Sequence, residues 1–188
     1  MIPTPRCAAL AILLSASVSA HAVEYGNVLA DKSEIRFVSK QMNVPIEGRF
    51  RKFTAELRFD PAKPESGSTR LSVDLGSIDA GSHDADEEVK TKGWFDIRNF
   101  PTATFASTAV KPLGPNRYEV SGKLAIKGRS RDVTAPFTFR QDGANAVLEG
   151  SFVLKRLLFG IGEGPWSDVD TVADDVQVRF RLTAAPTR

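Results

Sequence analysis

The feature that most constrains this 188-residue chain is an alternation of apolar and polar residues with a period of two. A period of two places successive side chains on opposite faces of a β-strand, whereas a helical face repeats every 3.6 residues. Each alternating segment has one apolar face and one polar face, which is typical of antiparallel sheets with one face in water. Eight segments show the pattern, at residues 34–38, 52–59, 70–75, 102–105, 118–126, 132–140, 147–154 and 175–182.

The separators between these segments favour hairpins, because they are rich in Gly, Pro, Asn and Asp. Phe50 is out of phase with Phe53, which predicts a β-bulge near residues 49–52, where the strand bends. A sandwich or a closed barrel would bury the apolar faces. The long strands and their up-and-down order favour an all-β fold, an eight-stranded antiparallel barrel.

One segment between the third and fourth strands breaks the alternation. Asp84 and Glu87 resemble a capping box, Lys90 lies in the last turn, and Gly93 follows as a stop signal. These signals predict one short helix over about 84–92 with Asp84 as its N-cap. Ser82 is the alternative cap.

Residues 1–22 have the pattern of a signal peptide. Arg6 precedes a short apolar run at 8–14, and Ala-His-Ala occupies 20–22. We expect cleavage after Ala22 and a periplasmic location, with residues 23–188 forming one domain. An uncleaved membrane anchor is the alternative, although the apolar run is shorter than the about 20 residues that a spanning helix needs.

Composition limits the chemistry of the remaining chain. Cys7 is the only cysteine, and His83 is the only histidine beyond the leader. The region after Ala22 therefore holds no disulfide, thiolate nucleophile or Cys-ligated metal. A net charge of +2 argues against general nucleic-acid binding. The acidic residues at 168–175 lack the glycine and final glutamate of an EF-hand, so no metal site is predicted there. The sequence also has no catalytic or cofactor-binding motif, so no catalytic residue and no cofactor are predicted.

The inward faces carry small residues that leave two interpretations open. Gly122, Gly150, Ala55, Ala103 and Ala135 point inward by alternation, which indicates either room for a ligand or a fit to the barrel's taper. An outer-membrane barrel also alternates, with its apolar face toward lipid. The small number of Tyr and Trp residues and the helical insert argue against that barrel.

Several motifs, read in order, resemble the YceI-like family of periplasmic polyisoprenoid-binding proteins, which have a lipocalin-like barrel. The resemblance covers almost the whole chain after the leader. It implies an exported, non-enzymatic protein that holds an isoprenoid-type lipid, a polyprenyl chain or an isoprenoid quinone tail, in its lumen for transport, storage or protection. The motifs are GRFRKF (48–53), LRFD (57–60), WFD (94–96), FPTATFAS (100–107), VSGKLAIKG (120–128), VTAPF (133–137) and KRLLFGIG (155–162).

The resemblance and the inward faces together give a set of candidate ligand-binding residues. They are Phe37, Phe53, Leu57, Phe59, Leu71, Val73, Phe105, Leu124, Phe137, Phe139, Phe152, Leu154 and Phe180. Trp94, Phe95, Phe159 and Trp166 are candidates for an entrance. Ordinary core packing is the alternative for all of them.

Two places depart from the family pattern. Ala85-Asp86 stands where the family often has Arg-Asp, and Lys40-Gln41 stands where it often has a histidine, so the head group of the ligand is left open. The alternative functions are an enzyme acting on a hydrophobic small molecule, and a periplasmic stress or interaction protein with a filled core. Transient contact with a membrane or with a lipid donor or acceptor is also left open.

Overall fold

The structure is a computed structural model that describes residues 23–187, so the predicted leader and its cleavage point lie outside the described residues. This part of the chain contains one α-helix, α1, which spans His83–Lys90. No helix in residues 23–187 is long and apolar enough to cross a membrane. The strands are β1 (Tyr25–Val28), β2 (Glu34–Gln41), β3 (Val44–Phe50), β4 (Phe53–Arg58), β5 (Ser68–Asp74), β6 (Ile78–Asp79), β7 (Thr102–Gly114), β8 (Arg117–Ile126), β9 (Arg129–Asp142), β10 (Asn145–Lys155) and β11 (Asp175–Pro186).

All strand pairs are antiparallel and belong to one curled sheet. The strand order is β4-β5-β7-β8-β9-β10-β11-β2-β3-β6, and β1 pairs with β11. The two ends of this order meet because β3 continues into β4 through residues 51–52, while β5 continues into β6 through the turn Leu75–Ser77. β3 and β4 thus form one bent strand, and β5 and β6 form another. These two bent strands pair with each other twice, as β3–β6 and as β4–β5, and this pairing closes the sheet into a barrel.

The all-β barrel with one short helix is confirmed, but the structure has eleven strands where the pattern predicts eight. The predicted bulge region is a full interruption. Phe50 pairs with Ile78 and Phe53 pairs with Val73, so two residues on one strand face four on the other. Counting each bent pair as one strand and leaving out β1 restores eight. The eight predicted segments include none for β1, β3 or β6. With four and two residues, β1 and β6 are too short to show a period.

The helix is also confirmed, although Asp84 as its N-cap is wrong. Ser82 has the extended backbone that a cap requires, and its Oγ accepts the N–H of Ala85 at 3.2 Å. Asp84 lies within the first turn. The helix ends at Lys90, because the N–H of Thr91 returns to the carbonyl of Glu88 and the chain then turns toward β7.

One end of the barrel, here called the filled end, is packed solid with side chains. The ring of Phe59 lies 5.1 Å from that of Tyr118, 5.8 Å from that of Phe137 and 5.7 Å from that of Phe139, measured between centroids. β1 closes this end, because Tyr25 and Phe59 exchange backbone hydrogen bonds of 2.8 and 3.0 Å. The buried cluster consists of Tyr25, Leu57, Phe59, Val110, Tyr118, Val120, Ala135, Phe137, Phe139, Ala146, Leu148 and Ala184.

The opposite end, here called the open end, carries α1, the segment 91–101 and the loop 156–174. A second apolar cluster lies beneath these segments, with Val73, Leu75 and Leu124 among its buried members. The barrel therefore has a filled end and an open end built on the same strands.

Candidate functional site: a cavity at the open end

An apolar cavity of about 460 Å³ lies inside the open end. Ligand pockets in proteins commonly measure about 300–1,000 Å³. Several of its aromatic walls, such as Phe37, Phe152 and Phe180, are only half-buried although they point into the barrel, because they face the empty space. The deeper walls, such as Ile35 and Leu124, are buried.

Eight of the thirteen candidate residues lie on the wall of this cavity. They come from β2, β5, β7, β8, β10 and β11, so the wall surrounds the lumen on most sides. The eight are Phe37, Leu71, Val73, Phe105, Leu124, Phe152, Leu154 and Phe180.

The other five candidates do not line the cavity. Leu57, Phe59, Phe137 and Phe139 belong to the cluster of the filled end, where they contact each other. Phe53 packs against the apolar cluster of the open end without reaching the cavity wall. Alternation places a side chain inside or outside the barrel but gives no position along the barrel axis, which is why the pattern does not separate these residues from the wall.

The predicted room above Gly122 and Gly150 is absent. A Cβ atom on Gly150 would lie 2.5 Å from Cζ of Phe180 and 2.5 Å from the carbonyl oxygen of Pro136. A Cβ atom on Gly122 would lie 2.5 Å from Cζ of Phe105. Each glycine therefore lets a phenylalanine ring approach the backbone closely, and that phenylalanine lines the cavity. Two of the small inward residues, Ala103 and Ala135, do line the cavity.

The mouth of the cavity lies between α1 and the β2–β3 hairpin. Asp84, Ala85, Glu88 and Val89 border it from the helix, and Ser39, Gln41 and Ile46 border it from the hairpin. Gln41 and Asp84 are exposed to water, whereas residues deeper in the cavity are buried. Both departures from the family pattern thus bear on the mouth, since Ala85 and Gln41 line it. Asp86 instead accepts the backbone N–H of Ala80 at 2.6 Å.

Two indoles and one carboxylate meet at the mouth. Oε1 of Glu88 accepts the Nε1–H of Trp94 at 3.1 Å and that of Trp166 at 2.8 Å. The two indole rings are 5.6 Å apart. Trp94, Phe95 and Trp166 thus line the cavity as entrance candidates, whereas Phe159 is buried in the adjoining core and does not.

A buried arginine, which the sequence pattern does not single out, organises the loop 156–174. All five N–H groups of Arg156 donate to backbone carbonyls, those of Ile161, Gly162, Trp166, Val172 and Ala173, at 2.6–3.0 Å. Its guanidinium also lies over the Trp94 ring, 5.9 Å from the centroid. Burial lowers the pKa of Arg156, while the charge of Asp174 acts in the opposite direction. The sequence feature that could have pointed to this role is the position of Arg156 between a strand and the apolar run LLF.

A second set of polar contacts, made by Lys127 and Arg129, fixes this loop to its neighbours. Nζ of Lys127 donates to the carbonyls of Lys92 and Gly160 at 2.8 and 2.6 Å and to Oε2 of Glu163 at 3.1 Å. Arg129 donates to Oε1 of the same carboxylate at 2.9 Å. The hydrogen bond from Lys127 is the main reason that the pKa of Glu163 is lowered. The floor beside the mouth is therefore held by polar contacts, in contrast to the aromatic packing of the filled end.

The acidic residues at 168–175 act as local hydrogen-bond acceptors. The carboxylate of Asp168 accepts the hydroxyl of Thr171 at 2.7 Å and the N–H of Asp170 at 3.1 Å. Oδ1 of Asp174 accepts the N–H of Leu157 at 2.9 Å. Within residues 23–187, no three His, Cys, Asp or Glu side chains gather as a metal ion would require.

These features define a class of protein, an antiparallel β-barrel with an internal apolar cavity that opens at one end. The model of the YceI-like domain matches residues 27–184, and the chain belongs to this family. A relative from Azotobacter vinelandii, a UPF0312 protein, is 31% identical over 141 residues, which are 70% of this chain and 73% of the relative.

Solved structures share the fold. BcnA of Burkholderia cenocepacia is 46% identical with a TM-score of 0.83, over 85% of this chain and all of that one. A polyisoprenoid-binding domain of Saccharophagus degradans, implicated in plant cell wall breakdown, is 16% identical with a TM-score of 0.66, over 89% of this chain and all of that one.

Proposed function

We propose that the protein is an exported, non-enzymatic binding protein that holds the tail of an isoprenoid-type lipid in the cavity. The observation that carries the proposal is the apolar cavity of about 460 Å³, closed by aromatic packing at one end and bordered by the carboxylates of Asp84 and Glu88 at the other. Such a cavity removes a hydrocarbon chain from water and leaves one end of the ligand near the solvent.

The hydrophobic effect is sufficient for this task. An isoprenoid tail needs no hydrogen bonds, and its burial gains about 25 cal/mol per Å² of apolar surface. At about 30 Å³ for each water-sized group, the cavity holds roughly fifteen non-hydrogen atoms, or about three isoprene units. A longer chain would extend through the mouth or displace wall side chains such as Phe37.

Binding is favoured over catalysis by the distribution of polar groups. Acid–base catalysis needs a titratable side chain within hydrogen-bond reach of the reacting atoms. Within residues 23–187, the lumen wall is hydrocarbon apart from Thr69, and the charged groups that line the cavity are Asp84 and Glu88 at the mouth and Arg156. All N–H groups of Arg156 are engaged. The polyisoprenoid-binding domain of Saccharophagus degradans, which shares the fold, supports the choice of ligand class.

Location in the periplasm is part of the same proposal. The pattern of residues 1–22 supports export and cleavage after Ala22. N-terminal sequencing of the protein recovered from a periplasmic fraction should begin at Val23. Recovery with Met1 intact in the inner-membrane fraction would contradict export.

Lipid extraction tests the binding proposal directly. The purified protein should yield an isoprenoid at close to one molecule per chain by mass spectrometry. Ala103→Phe places a ring in the cavity, because Ala103 lies on its wall, and should reduce the bound lipid several-fold. Ala106→Phe, three residues further along β7 on the exposed outer face, is the matched control and should retain the lipid.

Two results would contradict the proposal. One is a wild-type protein that carries no lipid and takes up none when offered an isoprenoid in solution. The other is an equal loss of lipid in the inward and the outward variant, which would place the ligand outside the cavity.

A further inference from the structure

The polar groups at the mouth differ between its two sides. On the helix side stand two carboxylates, Asp84 and Glu88. On the hairpin side stand the uncharged groups of Ser39 and Gln41. A ligand whose tail fills the cavity places its head between these two sides.

Arg156 is the one cation that residues 23–187 place on the cavity wall, and it is not free to bind an anion. Arg156 uses its five N–H groups on five backbone carbonyls, and a guanidinium has no further donor. It is 1% exposed, and the Trp94 ring lies over it. A phosphate or carboxylate at the mouth would therefore find no available partner in Arg156.

The polar contacts of the two carboxylates determine what they offer to a ligand. Among the described residues, neither Asp84 nor Glu88 forms an ion pair. Oε1 of Glu88 accepts both indole N–H groups, and its Oε2 accepts no hydrogen bond within residues 23–187. Each carboxylate thus offers a free acceptor, and both would repel an anionic head.

The hairpin side complements this with groups that can donate. Within the described part of the chain, the hydroxyl of Ser39 and the side-chain amide of Gln41 make no hydrogen bond to another residue. A hydroxyl head can donate to a carboxylate and accept from a hydroxyl or an amide. A phosphate can accept hydrogen bonds from the hairpin side but cannot donate one to the carboxylates of the helix side.

We infer that, if the cavity binds an isoprenoid as proposed above, the mouth selects an uncharged, hydroxyl-bearing head, as in a prenyl alcohol, and rejects prenyl phosphates and diphosphates. Asp84 and Glu88 are the residues that set this preference. The inference rests on the proposed function and adds the substrate class.

Two probes that share a tail test the inference. Farnesol and farnesyl diphosphate have the same three isoprene units, which match the size of the cavity. The chain contains two tryptophans, Trp94 and Trp166, and both lie at the mouth, so their fluorescence reports occupancy. With delipidated protein in a buffer without divalent cations, farnesol should bind at least tenfold more tightly than the diphosphate.

Charge-neutralising variants connect the preference to its residues. The double variant Asp84→Asn/Glu88→Gln should reduce the ratio of the two affinities to a few-fold, mainly by improving binding of the diphosphate. Glu87→Gln removes the same charge from the same helix at a residue that faces solvent and pairs with Lys90, and it should leave the ratio unchanged. Asp84→Asn alone, which keeps both indole contacts of Glu88, covers the case in which the double variant folds poorly.

The outcomes separate the two proposals. Binding of neither probe would overturn the proposed function. Equal binding of both, or tighter binding of the diphosphate, would overturn the head-group inference and leave lipid binding standing. The head-group inference would also be overturned if Glu87→Gln changed the ratio of the two affinities as much as the double variant does, because the effect would then come from the overall charge of the helix.

Discussion

At the filled end of the barrel, Phe59 is 2% exposed and its ring contacts three other aromatic rings. At the open end, Phe37 is only half-buried, and within residues 23–187 its ring has one aromatic neighbour, Phe50, at 5.7 Å. Phe37 points into the barrel from β2, and Phe59 points into it from the position directly after β4. The comparison teaches that one β-barrel can devote half of its interior to stability and leave the other half available for a ligand.

The two ends also differ in what holds them together. The filled end relies on aromatic packing, whereas the open end combines its apolar cluster with hydrogen bonds from Arg156 and Lys127 to loop carbonyls. Apolar packing excludes a ligand from the space it fills. The hydrogen bonds of Arg156 and Lys127 fix the loops around the mouth from outside the lumen, and they leave the space inside the lumen free.

Matched Phe→Ala substitutions should show the largest contrast between the ends. Phe59→Ala should cost about 3–5 kcal/mol in the free energy of unfolding, because it leaves a cavity in close-packed surroundings. Phe37→Ala should cost about 1–2 kcal/mol, because part of its ring already faces empty space. Urea unfolding of both variants measures the difference, and equal losses would mean that the lumen is packed in solution.

Arg156→Lys tests the polar support of the open end. A lysine ammonium supplies at most three donors without the planar fork, so at least two of the five carbonyls lose their partner, at a cost of about 2–4 kcal/mol. Relative to the wild type, the variant should show a larger increase in the hydrogen-exchange rate in the loop 156–174 than at Tyr118 and Val120 of the filled end. Arg140→Lys, on the exposed surface, is the control. Unchanged protection of the loop would remove Arg156 from this role.

Matched Ala→Phe substitutions reverse the direction of the test by adding volume. Ala146 is fully buried in the cluster of the filled end, so Ala146→Phe should destabilise the protein by about 1–3 kcal/mol or more through overpacking. Ala103→Phe enters the cavity and should cost well under that. Thermal melts of the delipidated variants compare them, and a reversed order would contradict the assignment of the two ends.

The smallest effect concerns the cap of the helix that borders the mouth. Ser82→Ala should lose about 0.5–2 kcal/mol, because the N–H of Ala85 loses its acceptor. Asp84→Ala should lose about 0.5 kcal/mol or less, because that carboxylate contributes only its charge near the helix N-terminus. Denaturant melts of both variants decide between them, and a larger loss for Asp84→Ala would return the cap to that residue.

The sequence permits prediction of the inward faces because the alternation has a direct structural cause in the pleat of the strand. It does not separate Phe37 from Phe59, since both follow the same period and differ only in height within the barrel. The sequence also does not show whether there is free space above Gly150, because that depends on where its cross-strand neighbour, Phe180, places its ring.

The mouth is the part that sequence reasoning leaves most incomplete. Trp94 and Trp166 are recognisable as aromatic residues in irregular segments, but their shared acceptor, Glu88, lies on a helix that reads as an exposed charged surface. Arg156 acquires its role from carbonyls up to 17 residues further along the chain. Contacts of that kind come from the loop's tertiary path, which no local pattern encodes.

The central claim, that a ligand enters one end of the barrel and not the other, is tested most directly by methyl-resolved NMR during a titration with farnesol. The account predicts chemical-shift changes at methyl groups of the cavity wall, such as Leu71, Val176 and Val178. Methyl groups of the filled end, such as Leu57 and Leu148, should remain unchanged. Changes centred on Leu57 and Leu148, or no changes at the wall at saturating farnesol, would contradict it.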